Sequence, residues 1–230
     1  MERVKYSNRR VWSKTALAVS LGLGAAALIP ATHYIQKDRL RYAFNAIVPD
    51  EYAFTEISNQ EDRVLPSSMK ISTIPLYTDG LCDCVAIVLY SGDPNEIIAL
   101  SHYGVGDQIK NMRNKSQLEN FLLKSGKERV NQILEGVEST HDRFYEGKSW
   151  HPDLRKKPFE KAKAKAFVVG GLKRYGEVIV DEFKRKGVPV NSYFDETGND
   201  AEKVYNKTVV VAKNRQVIIK SQNGDFVELR

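Results

Sequence analysis

Two periods of apolar residues alternate along this chain, and each change of period marks an element. Cys84 to Tyr90 is an unbroken apolar run rich in β-branched residues, which predicts a buried strand. Ser91-Gly92-Asp93-Pro94-Asn95 has turn composition, and Glu96 to His102 predicts the returning strand of an antiparallel, hairpin-like pair. Upstream, Ser72 to Leu76 predicts a short strand stopped at Pro75. Downstream, Gln117 to Glu138 carries apolar residues at helical spacing, with Gly126 expected to separate two helices. Residues 139–160, with Trp150, His151 and Pro152, predict a long polar loop. Ala164 to Val169 predicts a strand closed by Gly170-Gly171. Gly176 to Lys186 predicts an amphipathic helix stopped by Gly187, and Val188 to Phe194 another strand. Asp195 to Asn199 reads as a turn, and Thr208 to Ala212 with Gln216 to Lys220 as a closing hairpin across Lys213-Asn214-Arg215. Strands and helices intersperse without strict alternation, so the class is α+β with a mixed sheet.

A separate apolar stretch lies at the N-terminus. Thr15 to Ile35 holds no acidic or basic side chain except His33. At about 1.5 Å per residue it would just cross a hydrocarbon core of about 30 Å. Arg3, Lys5, Arg9, Arg10 and Lys14 precede it, as in the basic region of a signal sequence, and Ile29-Pro30-Ala31 offers an imperfect cleavage site. Arg9-Arg10-Val11-Trp12-Ser13-Lys14 also looks a little like a twin-arginine export signal. Three readings stand: an uncleaved membrane anchor, a cleaved export signal and, ranked below both, a buried core helix. The charge balance leans toward a cytoplasmic N-terminus and a domain on the far side, membrane-anchored or exported, although a cytoplasmic face is also compatible. Residues 1–36 are thus set apart, 37–69 lead in, and 70–230 form the domain, with a polar insert at about 105–160.

The 230 residues suit one sizeable domain with appendages, and 42% hydrophobic with 28% charged residues is ordinary for a folded chain. The net charge of +6 is uneven. Arg155, Lys156, Lys157, Lys161, Lys163 and Lys165 form a second basic cluster that could hold an acidic partner, anionic lipid or nucleic acid, with a solvated helix face the favoured reading. No aromatic-interleaved motif accompanies it, so no nucleic acid is expected. The only cysteines are Cys82 and Cys84. A bridge between such near neighbours would be strained, and the pair lacks the other half of a zinc site. No metal or cofactor is expected. His141 and His151 read as surface residues, Asp195 and Thr197 as turn residues, and Cys82 as a packing residue or a resolving thiol.

A thiol needs a base to become a nucleophile near neutral pH, because its free pKa is about 8.5. Cys84 at the mouth of its strand and His102 on the returning strand are the pair to test, with Thr78 just upstream and Tyr103 and Gln108 proposed for the rim. The pattern Thr78-x-Gly80-Leu81-x-x-Cys84-Val85, an apolar strand and then His102 resembles the CheD chemoreceptor glutamine deamidase family. Ala166 to Gly171, Val178 to Val190, Asp195 to Gly198 and Lys207 to Lys220 resemble that family's later segments in the same order, over roughly residues 70–221. The Leu81-x-x-Cys84 element also looks like that of deamidating toxins such as the cytotoxic necrotizing factor.

The resemblance implies a mixed β-sheet or sandwich core flanked by helices. It implies a protein-glutamine deamidase with Cys84 as nucleophile, His102 as general base and Thr78 orienting the histidine. Backbone N–H groups around Gly80, Leu81 and Asp83 would hold the oxyanion. The partner would be a substrate protein carrying a reactive glutamine, in the same cell or elsewhere if the chain is exported. The chain departs from the family at Cys82 and Asp83, where small residues are usual. An aspartate beside the nucleophile opposes the thiolate unless its carboxylate faces solvent or a cation. Other functions share these residues: a non-catalytic binding module on the same fold, a transglutaminase, or a cysteine peptidase.

Overall fold

A computed structural model of the protein describes residues 36, 39–48, 62–81, 83–92, 96–146, 158–194, 209–220 and 225–230. The apolar N-terminal stretch, Cys82, Trp150, His151, Arg155, Lys156 and Lys157 of the second basic cluster and the turn at 195–199 lie outside the described residues. Among the described residues no helix is long and apolar enough to cross a membrane. The chain divides into two compact units, 1–43 and 44–230. The first is described only in part, with residues 39–43 helical.

The second unit is α+β with two sheets. In chain order its elements are β1 (Ser68–Ser72), β2 (Leu76–Thr78), β3 (Cys84–Tyr90), β4 (Ile98–Gly104), α1 (Gly106–Ile109), α2 (Lys115–Glu146), β5 (Lys165–Val169), α3 (Lys173–Arg185), β6 (Val190–Tyr193), β7 (Val209–Lys213), β8 (Gln216–Lys220) and β9 (Phe226–Leu229). One sheet has the order β1-β4-β3-β5-β6, the other β2-β7-β8-β9. All pairings are antiparallel except β5 with β6, which α3 connects as a parallel crossover.

The central strand β3 explains the layering. Val85, Ile87 and Leu89 join a core shared with α2 and α3, while Ala86, Val88 and Tyr90 join a second core shared with the other sheet. Both faces are covered, so the run is apolar without alternation. The result is a helical layer, a five-stranded sheet and a four-stranded sheet. The Tyr90 hydroxyl ties the sheets together by donating to the Gln216 carbonyl at 2.6 Å.

Several boundaries differ from expectation. The predicted strand at Ser72 to Leu76 is two strands in different sheets, split by the turn at 73–75. Gly126 does not separate helices, because α2 runs unbroken for 32 residues. A Cβ at Gly126 would lie 2.6 Å from Val178 Cγ1, so the glycine lets α2 and α3 approach closely. The predicted loop is helical to Glu146, since the buried stripe continues through Val137, His141 and Tyr145. His141, expected at the surface, takes an apolar position of that stripe and is fully buried, 4.7 Å from the Tyr145 ring. In the basic cluster, residues 161–163 form a turn and Lys165 opens β5, so neither belongs to a helix face.

Two chain reversals obey local rules. At the end of α3, Gly187 has φ +77°, Val188 N–H donates to the Phe183 carbonyl at 3.0 Å, and Gly187 N–H donates to that of Lys184 at 3.0 Å. That pair of hydrogen bonds is the Schellman ending. Between β7 and β8, Asn214 and Arg215 both have positive φ, the two-residue turn that matches strand twist.

Candidate functional site

The site forms where the chain changes sheets. Thr78 ends β2, on the same face as Leu76 and opposite Val210, both inter-sheet core residues. Residues 79–83 then cross to the five-stranded sheet, turning at Gly80 with φ +69°, and Cys84 opens β3. Cys84 packs against the inter-sheet core and is partly exposed. On β4, Ile98 and Leu100 point into that core, and the two-residue period puts His102 there as well, fully buried.

The β3–β4 register brings the pair together. Cys84 is opposite Gly104, and Ala86 is opposite His102. Cys84 and His102 are thus diagonal neighbours on one face, a relation that sets Cα atoms roughly 7–8 Å apart. Gly104 makes room for the sulfur, since a Cβ there would lie 2.7 Å from Cys84 Sγ. Gly170 and Gly171, both at positive φ, close on the other side. A Cβ on Gly171 would lie 2.9 Å from the Cys84 carbonyl oxygen.

Thr78 fixes the state of the histidine. Its hydroxyl lies 2.8 Å from the Val64 carbonyl and 2.7 Å from His102 Nδ1. A hydroxyl has one proton and the carbonyl only accepts. Donating to Val64 leaves Oγ1 to accept from Nδ1–H, which assigns the proton to Nδ1 and the lone pair to Nε2. Nε2 is buried with no hydrogen-bond partner among the described residues. Burial pushes the His102 pKa down to about 4, opposed by the Asp79 carboxylate and reinforced by the Arg63 guanidinium. The imidazole is therefore neutral at neutral pH and able to accept a proton.

Gly80 is exposed, Leu81 is buried in the inter-sheet core, and Asp83 is exposed. Asp83 reaches over Gly106, where a Cβ would lie 2.9 Å from its Oδ2, and acts electrostatically on Lys110. Facing solvent and a cation, it meets the condition set for an aspartate beside a nucleophile.

Tyr103 does not line the rim on the face of His102. It is opposite Val85, a residue of the helix-side core, and Arg129 of α2 stacks 3.5 Å from its ring centroid. Burial raises its hydroxyl pKa. Hydrogen bonds with Gln108 and Arg129, and the Arg129 charge, outweigh this and leave it below the ordinary tyrosine value. Gln108 goes with Tyr103, on the far side of β4.

Arg63 and Val64 carry no signal in the sequence alone. Tyr77 N–H donates to the Asp62 carbonyl at 3.0 Å and Val64 N–H to that of Tyr77 at 2.8 Å, so residues 62–64 strap alongside β2. Arg63 Nη2 pairs with Asp79 Oδ1 at 2.8 Å just past Thr78. Among the described residues, no cluster of three His, Cys, Asp or Glu side chains is placed to hold a metal ion. No protein-family model matches the chain, and no curated protein matches it in sequence.

Proposed function

We propose that this chain is a protein-glutamine deamidase, hydrolysing the side-chain amide of glutamine in a substrate protein to glutamate and ammonia. The observation that carries this reading is the neutral imidazole of His102, fixed by Thr78 with its Nε2 lone pair on the face that Cys84 shares. The two packed sheets with one helical layer also suit a CheD-like fold, in the sandwich form expected from the resemblance.

In the proposed reaction Nε2 takes the Cys84 proton as Sγ bonds to the glutamine Cδ. The carbonyl oxygen becomes an oxyanion, held by N–H groups of the loop from Gly80 to Cys84 (a contribution typically worth ~3–4 kcal/mol). The imidazolium then gives its proton to the nitrogen, and ammonia leaves. Water adds to the thioester, losing a proton to Nε2. The Cys84 sulfur departs and is reprotonated, leaving glutamate. Residues 15–35 would serve as a membrane anchor or export signal, delivering the domain to its substrate protein.

The test incubates the chain with glutamine-bearing proteins and follows ammonia release and intact mass, with Cys84→Ser in parallel. A gain of about 1 Da per glutamine, lost in the variant, is expected for replacing –NH2 by –OH. Added amines joining the substrate would indicate a transglutaminase, and chain cleavage a peptidase. If Cys84 resists alkylation in the folded protein, the catalytic reading fails and a binding module takes its place.

A further inference from the structure

We propose that the Arg63–Asp79 ion pair is the electrostatic control on His102, with Asp79 the counter-charge to the imidazolium formed during reaction and Arg63 the clamp that holds and offsets it. The inference rests on the reading of His102 as the general base.

Its foundation is geometric. Asp79 directly follows Thr78, whose hydroxyl holds His102 Nδ1. The Arg63 and Asp79 side chains keep only 18% and 14% of their exposure, so their fields act through a medium poor in water. Arg63 sits in the strap whose next residue, Val64, accepts the Thr78 proton. One short segment therefore supplies both the acceptor that sets the imidazole tautomer and the cation that offsets Asp79.

Among the described residues, the neighbours of His102 come from the β2 end, the strap, β3 and β1. The β2 end and the strap bring Asp79 and Arg63, the charges acting on its titration. Strand β3 brings Cys84, diagonal to it, and Ala86, opposite it. Strand β1 brings Ser68, its register partner. Burial raises the Tyr77 hydroxyl pKa, and Arg63, Asp79 and Asp62 act on it as well. A neutral base must become a cation in the transition state, and burial alone would oppose that step. Asp79 lowers the barrier to protonation, while Arg63 offsets part of that pull.

The two partners of one ion pair then have opposite effects, which separates control from mere bracing. The full chain with labelled histidine is titrated by NMR as wild type, Asp79→Asn, Arg63→Met, Arg63→Lys and Arg63→Met/Asp79→Asn. The His102 signal is assigned with His102→Gln. Expected are a midpoint lowered by about one pH unit in Asp79→Asn, raised by about one in Arg63→Met, and near wild type in Arg63→Lys and the double variant. Cys84 alkylation near neutral pH should be roughly tenfold faster in Arg63→Met and slower in Asp79→Asn.

Midpoints that move the same way in both single variants, or do not move, overturn the proposal. So does a shift in Arg63→Lys as large as that in Arg63→Met. If Arg63→Met does not fold, Asp79→Asn decides by its lowered or unmoved midpoint. The titration needs no substrate. Opposite shifts without deamidation would count against the deamidase and leave the electrostatic control standing.

Discussion

Thr78 Oγ1 lies 2.7 Å from His102 Nδ1, a contact that spans the two sheets and decides which imidazole nitrogen carries the proton. Thr78→Val keeps the shape and removes the hydroxyl. Nδ1 and the Val64 carbonyl then both lose a partner, at about 1–3 kcal/mol. If His102 is the general base of the proposed reaction, losing the group that orients it is expected to slow deamidation roughly 10–100-fold, part of what general base catalysis supplies. Thr78→Ser should recover most of the rate. Initial rates of ammonia release, with unfolding curves for all three proteins, provide the check.

Gly104→Ala should disable the thiol without touching its chemistry. The added carbon would lie 2.7 Å from Cys84 Sγ, inside van der Waals contact. The sulfur or the β3–β4 pair must shift, at about 1–3 kcal/mol. Alkylation of Cys84 should change markedly, with a lower denaturation midpoint. An unchanged rate would show that the sulfur has room to turn away.

Acid should destabilise the protein through His102. Its folded pKa, about 4, is below the ordinary 6.5 because burial disfavours the cation. Above pH 6.5 neither state protonates it. As pH falls from there toward 4, the unfolded chain binds a proton that the folded one refuses, and stability is lost by an amount on the order of 3 kcal/mol. His102→Gln should flatten this part of a stability-against-pH curve.

Two glycines of α2 should respond differently to alanine. Alanine gains about 1 kcal/mol over glycine in a helix interior. At Gly126 the new methyl meets the stiff, β-branched Val178 at 2.6 Å, so a net loss of about 1 kcal/mol is expected. At Gly136 the nearest atoms are Ile71 Cδ1 at 2.7 Å and Met69 Cε at 3.3 Å, the far ends of flexible chains. Gly136→Ala should therefore be neutral or stabilising. Chemical denaturation of each variant measures the difference.

The site was legible in part because its pieces are local. Thr78, Cys84 and His102 fall on three successive strands, and the antiparallel β3–β4 register puts Cys84 and His102 on the same face. The full span of β3 was readable because a strand covered on both sides is apolar throughout. Residues 139–146 were not, because their buried positions are filled by His141 and Tyr145, which do not stand out as an apolar stripe. Gly126 misled because a glycine placed for close packing looks the same in sequence as one that ends a helix. Val64 and Arg63 were illegible because one acts through a backbone carbonyl and the other through a contact made only on folding.

Both halves of the dyad lie on one sheet, but the group that orients His102 lies on the other. Cys84 comes with the five-stranded sheet, while the hydroxyl that readies His102 comes with β2 of the four-stranded one. A nascent or partly unfolded chain holds an ordinary thiol and an imidazole of no fixed tautomer. On the proposed function, only the docking of one sheet on the other would arm Cys84 as a nucleophile, a safety catch against indiscriminate acylation before the chain has folded.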